Sequence, residues 1–214
     1  MKSLPRTISV TGTGTAEAAP DLLILSIGVD CHRQDVAAAY GEAGRLSGQI
    51  SASLRKFGVS AADISTTGLN VRADLAWQEG HGQTVTGYIA SSILQVRLRD
   101  FARSAEAIAA AVEAGGNDVR LNGLERGFTD PAGVQARARE AAWTDALAAG
   151  QQYAALSGTA LGRVVSLTQQ PSSSIPIPVA KMERALAADS LTVEAGETSI
   201  NAQVHVVWEL RSPD

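Results

Sequence analysis

The sequence predicts an α+β fold made of two βαββ-like units, with antiparallel sheets and long helices packed on one face. Seven segments alternate apolar and polar residues as strands do, and three repeat apolar residues every three or four positions as helices do. The order strand, long helix, strand, strand occurs twice, over about residues 20–99 and 119–211. Because the two copies share little residue identity, the repeat is one of topology.

The repeat predicts one domain over residues 1–214 with two intertwined halves, about 7–99 and 117–211, joined by a helix at 101–114. Hydrophobic residues make up 45% of the 214 residues, so a substantial core is expected rather than disorder.

The first half begins with two strands. Residues 7–15 form one that contains Gly12 and Gly14, and residues 22–31 form the next. The second strand has an apolar row of Leu23, Leu25, Ile27 and Val29. Asp35 then has the position of a helix N-cap, and Gly58 that of the left-handed residue that ends the helix. The predicted buried stripe of this helix is Val36, Tyr40, Ala43, Leu46, Ile50, Leu54 and Phe57.

A hairpin and a short helix complete the first half. The first hairpin strand alternates Leu69, Val71, Ala73, Leu75 and Trp77, and the second alternates Tyr88, Ala90, Ser92, Leu94, Val96 and Leu98. A loop with two glycines, residues 78–83, joins them. Asp100 is predicted to cap the helix at 101–114, which ends at a pair of glycines.

The second half has a weaker strand at 119–129 and then an alanine-rich helix that starts at Asp130-Pro131 and ends near Leu156. Gly150 marks a position where this helix can bend or end early. Strands follow at 161–168 and 200–210, with Trp208 facing inward on the last. Between them, the prolines and serines of residues 171–190 predict a long exposed excursion that is dispensable for folding but contacts other subunits or a partner.

Five short motifs, in this order and spacing, resemble the SIMPL family over about residues 7–211. They are VTGTG at 10–14 with PD at 20–21, DIST at 63–66, GYIAS at 87–91, LGRV at 161–164 and AGE at 195–197. The resemblance implies a bacterial protein without an accepted catalytic residue set or cofactor, in a family whose members mostly lie in the cell envelope. Some members are thought to self-assemble or to matter under stress.

Composition limits the function classes. The net charge of −4 argues against nucleic acid, because phosphate binding needs clustered Lys and Arg. The sequence has no run of about 18 apolar residues, so no membrane span is predicted. The absence of an apolar signal core predicts a cytoplasmic location, or an envelope location if the chain is a processed form.

Several residues are candidates for a functional site. Gly12 and Gly14 lack the third glycine and following helix of a dinucleotide loop, so they predict a β-bulge or close backbone approach instead. Cys31 and His32 point to opposite faces of a strand, which argues against a catalytic pair and favours a buried thiol. His81 and His205 lack metal-site spacing and are predicted to be separate surface residues.

The remaining candidates also favour structural roles. Asp30 could cluster with Asp21 and Asp35, but those two are assigned to a turn and a cap. The charged residues of the alanine-rich helix predict a solvated face; they are Arg137, Arg139, Glu140 and Asp145. The three tryptophans could line a ligand pocket, but core packing is favoured; they are Trp77, Trp143 and Trp208.

We therefore expect a non-enzymatic assembly or binding module that self-associates, and assign no catalytic, cofactor-binding or metal-binding residue. Two alternatives stay open. One is a small-ligand-binding protein with a pocket between the halves, and the other is an unrecognised hydrolase.

Overall fold

The structure is a computed structural model that describes residues 6–79, 82–170 and 196–212. The predicted excursion at 171–190 and the predicted surface residue His81 lie outside these residues. Within them the strands are β1 (Thr7–Ala18), β2 (Leu22–Arg33), β3 (Ile64–Gln78), β4 (Gly82–Leu98), β5 (Val119–Gly127), β6 (Ala160–Gln170) and β7 (Thr198–Arg211). The α-helices are α1 (Val36–Lys56), α2 (Phe101–Gly115) and α3 (Ala132–Leu156). Two antiparallel sheets confirm the α+β prediction.

The chain divides into two compact units, and the first to be completed along the sequence is residues 20–129. Its sheet has the strand order β3-β4-β2-β5, and α1 packs on the face formed by β4 and β2. The inward row of β2 is buried as predicted, and the core continues into α1 and α2; its largest members include Leu23, Leu25, Ile27, Ile50 and Leu54. The apolar alternation of the strands therefore identifies the helix-facing side of the two central strands.

The ends of α1 and α2 agree with the sequence. The Asp35 carboxylate accepts a hydrogen bond from the Ala38 amide, and the Asp100 carboxylate accepts one from the Arg103 amide. Gly58 has φ of 87°, the left-handed conformation that ends α1. The predicted stripe of α1 is wrong at its start, because Val36 and Tyr40 are about half exposed and Ala39 is buried instead.

The hairpin of β3 and β4 extends beyond the neighbouring strand. Arg33, the last residue of β2, pairs with Tyr88, and Tyr88 pairs with Ala73. Residues 74–78 and 82–87 therefore form a two-stranded arm with no third strand beside it in the described part of the chain. Large apolar side chains of the arm, such as Leu75 and Trp77, are exposed at this position.

The second unit comprises residues 6–19, 130–170 and 196–212. Its sheet has the order β1-β7-β6, and α3 packs mainly on β1 and β7. A Cβ atom on Gly12 would lie 2.2 Å from the Ala142 oxygen, and one on Gly14 would lie 2.2 Å from the Ala142 nitrogen. The two glycines therefore let the helix backbone approach the strand, which confirms the predicted close approach.

Trp208 confirms the predicted inward face of β7, since it is 2% exposed. Its ring lies 5.9 Å from that of Trp143, at an interplanar angle of 48°. A Cβ on Gly150 would lie 3.3 Å from the Trp208 ring, so this glycine leaves space for the indole. The helix continues through Gly150 to Leu156 without an early end.

The predicted halves differ from the two units by one strand each. β1, assigned to the first half, pairs with β7, and β5, assigned to the second, pairs with β2. In space the repeat is β2-α1-β3-β4 against β1-α3-β6-β7, with the strand orders β2-β4-β3 and β1-β7-β6. The order of the strands along the chain does not show this pairing, because β1 lies far from its partners in sequence.

Candidate functional site

The arm has an exposed apolar surface. Four exposed side chains, which we call the arm strip, are Leu75, Trp77 and Val85 of the arm and Leu69 earlier on β3. Trp77 is 78% exposed and the other three are more than half exposed. Leu75 and Val85 are directly paired across the two strands, and Leu69, Leu75 and Trp77 alternate along β3. The prediction that Trp77 belongs to the core is therefore wrong, because α1 covers the two central strands and the arm extends past β2.

Side chains of α3 form hydrogen bonds with backbone groups at the β1 edge of the β1-β7-β6 sheet. At the β1 edge, the Thr13 amide donates to the Asp145 carboxylate at 2.8 Å, and Arg137 donates to the Glu17 carbonyl at 3.2 Å. Both charged residues are exposed, as predicted, but their contacts also satisfy backbone groups of an edge strand. Side chains on an edge in this way discourage pairing with another strand.

The remaining candidate residues of α3 are Glu140, Arg139 and Trp143. Glu140 is exposed. Arg139 lines a shallow apolar cavity of about 170 Å³ with Trp143, Leu167 and neighbours on β7. Trp143 is half-buried against Trp208, in agreement with the packing role predicted for both.

Cys31 and His32 lie on opposite faces of β2, as predicted. Cys31 is fully buried, and burial together with the nearby Asp118 carboxylate raises the pKa of its thiol to about 11. The thiol is therefore protonated near neutral pH and is a poor nucleophile. His32 is exposed, with Nδ1 3.6 Å from an Asp74 carboxylate oxygen.

His205 lies at the surface of the other sheet, where Nδ1 is 3.1 Å from the Thr11 hydroxyl. His32 and His205 belong to different sheets. Among the residues that the structure describes, no three His, Cys, Asp or Glu side chains come together as a group that could hold a metal ion.

The aspartates around β2 do not form one site. The Asp30 carboxylate accepts a 2.6 Å hydrogen bond from the Ser91 hydroxyl and lies 3.5 Å from Arg120. Asp21 accepts from the Thr129 amide at 2.6 Å, and Asp35 caps α1. Their separate partners confirm the turn and cap roles.

A pocket of about 280 Å³ lies where α1 ends, β4 ends and α2 begins. Its charged lining residues are Asp63, Arg97, Arg99, Asp100 and Arg103. Arg99 donates to both carboxylate oxygens of Asp63, at 3.0 and 3.3 Å. The Arg103 guanidinium lies 5.5 Å from the centre of the Phe57 ring. No motif predicted this pocket, although three arginines within the seven residues 97–103 are a signal for it.

An ion network was also missed. Glu42 lies 3.1 Å from Arg33 and 2.7 Å from Arg45, and Arg33 also contacts Asp118 at 3.3 Å. The hydrogen bond from Arg45, helped by the charge of both arginines, lowers the pKa of Glu42 to about 2. The network joins the end of β2 to α1 and to the turn before β5.

The fold and these contacts define a two-unit α+β protein with an exposed apolar arm and a polar pocket. A family model described as SIMPL, protein of unknown function (DUF541), matches residues 8–208. The chain therefore belongs to the SIMPL family. No helix among the described residues has the length and apolar character needed to cross a membrane.

Two relatives represent the similarity. The 26 kDa periplasmic immunogenic protein of Brucella melitensis is 29% identical over 99% of this chain and 87% of its own length. The uncharacterized protein YggE of Escherichia coli K12 is 30% identical over 97% of this chain and 84% of its own length. Neither name describes an enzymatic reaction.

Proposed function

We propose that this protein is a non-enzymatic assembly module that forms homo-oligomers through the arm strip. The observation that carries the proposal is the 78% exposure of Trp77 on an arm whose neighbouring apolar side chains are also open. Large exposed apolar patches mark interaction sites, and tryptophan is enriched among the residues that dominate binding energy.

The construction of the arm supports the same proposal. A hairpin of two strands is marginally stable in water unless it packs against another element. Residues 74–78 and 82–87 have no third strand beside them among the described residues. Packing against a second subunit would cover the strip and supply the missing contacts.

The chemistry of the candidate residues supports a role without catalysis. Cys31 is buried and protonated near neutral pH, and Ser91 donates its hydrogen bond to an aspartate rather than to a histidine. The net charge of −4 favours a protein partner over nucleic acid.

The test compares the mass of three proteins in solution by light scattering after size exclusion. We expect the wild type to have a mass of two or more times 22.2 kDa, the mass of one chain. The mass of Trp77→Glu should shift toward that of a single chain. Leu156→Glu is the matched control, because Leu156 is 76% exposed at the end of α3, in the other unit. A monomeric wild type, or equal effects of the two substitutions, would contradict the proposal.

We also propose that assembly takes place in the cell envelope, because the Brucella relative is named as periplasmic. Fractionation of bacteria that express the complete gene at its natural level tests the location. Recovery only with cytoplasmic markers would contradict it.

A further inference from the structure

The pocket at the end of α1 and the start of α2 has a local surplus of positive charge. Three arginines and two aspartates line it, in a chain whose net charge is −4. Both carboxylates already accept hydrogen bonds: Asp63 accepts one from Arg99, and Asp100 accepts one from the Arg103 amide. In the described part of the chain, neither Arg97 nor Arg103 has a carboxylate within ion-pair distance.

An ion pair accounts for only one of the three guanidinium groups. Arg99 joins the start of β3 to the end of β4, through Asp63 and through a 3.0 Å hydrogen bond to the Thr129 hydroxyl. Arg103 contacts the Phe57 ring, and its guanidinium donors are free to bind an anion at the same time. Arg97 is exposed without a described partner.

The rest of the lining is apolar, including Phe57, Val59, Leu98 and Ala107. Ser104 lies there too, but its hydroxyl donates to the Phe101 carbonyl at 2.7 Å. The volume of about 280 Å³ is close to the lower limit of ligand pockets, which begin near 300 Å³. A ligand that fits is therefore small, with one charged end and one apolar end.

We propose that this pocket binds a small organic anion, with a carboxylate or phosphate group held by Arg97 and Arg103 and a single ring or short chain against the apolar lining. Guanidinium groups match the planar or tetrahedral oxygens of these anions with paired hydrogen bonds. This inference goes beyond the assembly function, since the pocket lies on residues 57–107 and does not include the arm strip.

The test is calorimetric titration of the full chain with phenyl phosphate and benzoate, beside inorganic phosphate and uncharged benzyl alcohol. We expect saturable binding of at least one of the two aromatic anions, tighter than that of inorganic phosphate or benzyl alcohol. Arg97→Ala with Arg103→Ala should weaken it by roughly tenfold or more, because a hydrogen bond to a charged group contributes enough energy for that change. Arg72→Ala is the matched control, since Arg72 is an exposed arginine of β3 outside the pocket.

Amide chemical shifts of the wild type provide a second measurement that does not depend on the variants folding. Addition of phenyl phosphate or benzoate should move the signals of Val59, Arg103 and Ala107 more than those of residues outside the pocket. Absence of saturation by both anions, equal affinity in the double variant, or shifts confined to other regions would overturn the proposal. Binding of inorganic phosphate as tightly as of both aromatic anions would also overturn it.

Discussion

At the scale of single residues, Glu42 belongs to an ion network that joins three segments. Its carboxylate lies between Arg33 at the end of β2 and Arg45 one turn further along α1, and Arg33 also reaches Asp118. Because the paired carboxylate is favoured in the folded state, its pKa falls to about 2, below the ordinary value of 4.5. Folding stability is thereby linked to the protonation of this group.

We predict that Glu42 contributes stability that depends on pH. A lowered folded-state pKa means that the contribution is complete above the unfolded pKa near 4.5 and is lost as the pH falls toward 2. The difference in melting temperature between wild type and Glu42→Gln should therefore be larger at pH 7 than at pH 2.5. Arg45→Gln, which removes the partner, should reduce that change. A difference that is the same at both pH values would contradict the prediction.

The sequence predicts whether a residue is buried wherever burial depends only on which face of a strand the residue occupies. Cys31 and Trp208 were placed correctly because alternation identifies the inward side of a central strand. Trp77 follows the same alternation but is exposed, because alternation gives the face and not what covers it. The pocket was missed for a related reason: Phe57 and Arg103 meet only after α1 and α2 have packed.

At the scale of elements, the contact of β1 with α3 depends on residues that lack side-chain bulk. Gly12 and Gly14 face Ala138, Ala142 and Ala146 of the helix at backbone distance. The helix was predicted nearly to the residue because its start and end signals are local. The identity of the strand beneath it was not, since no local signal shows which strand a helix will cover.

We predict that Gly14→Ala lowers the free energy of unfolding by about 3 kcal/mol or more, near the upper end of the usual cost of overpacking. The added Cβ would lie 2.2 Å from the Ala142 nitrogen and 2.3 Å from the Ala138 oxygen, both of which belong to a helix backbone. Gly123→Ala is the control, because a Cβ there meets nothing within 4 Å. Urea unfolding followed by circular dichroism measures both. Equal stability of the two variants would show that α3 can move away from β1 without loss.

At the scale of the whole molecule, the chain leaves one unit after β1 and returns to it at α3. Residues 20–129 contain a complete four-stranded sheet and its helices, whereas the other unit takes its strands from both ends of the sequence. Ile8 pairs with Trp208, so this sheet depends on residues 200 positions apart.

We predict that a fragment of residues 20–129 folds alone, because its core residues from Leu23 to Ala111 all lie inside it. A fragment of residues 130–214 should lack native structure until a peptide of residues 6–19 is added, since β1 supplies most of the surface on which α3 packs. Amide spectra of each fragment, with and without the peptide, measure this. A dispersed spectrum from residues 130–214 alone would contradict the prediction.

The distant partner of β1 has a consequence for biosynthesis. Along this chain β1 is translated before β7, so β1 lacks its partner strand while the residues between them are made. At about 5–20 residues per second, that interval is roughly 10–40 s. Throughout it the nascent chain carries an unpaired strand whose inner side is Val10, Gly12, Gly14 and Ala16, with little side-chain area to form a temporary cluster. We therefore expect β1 to be a binding site for ribosome-associated chaperones until β7 has been translated.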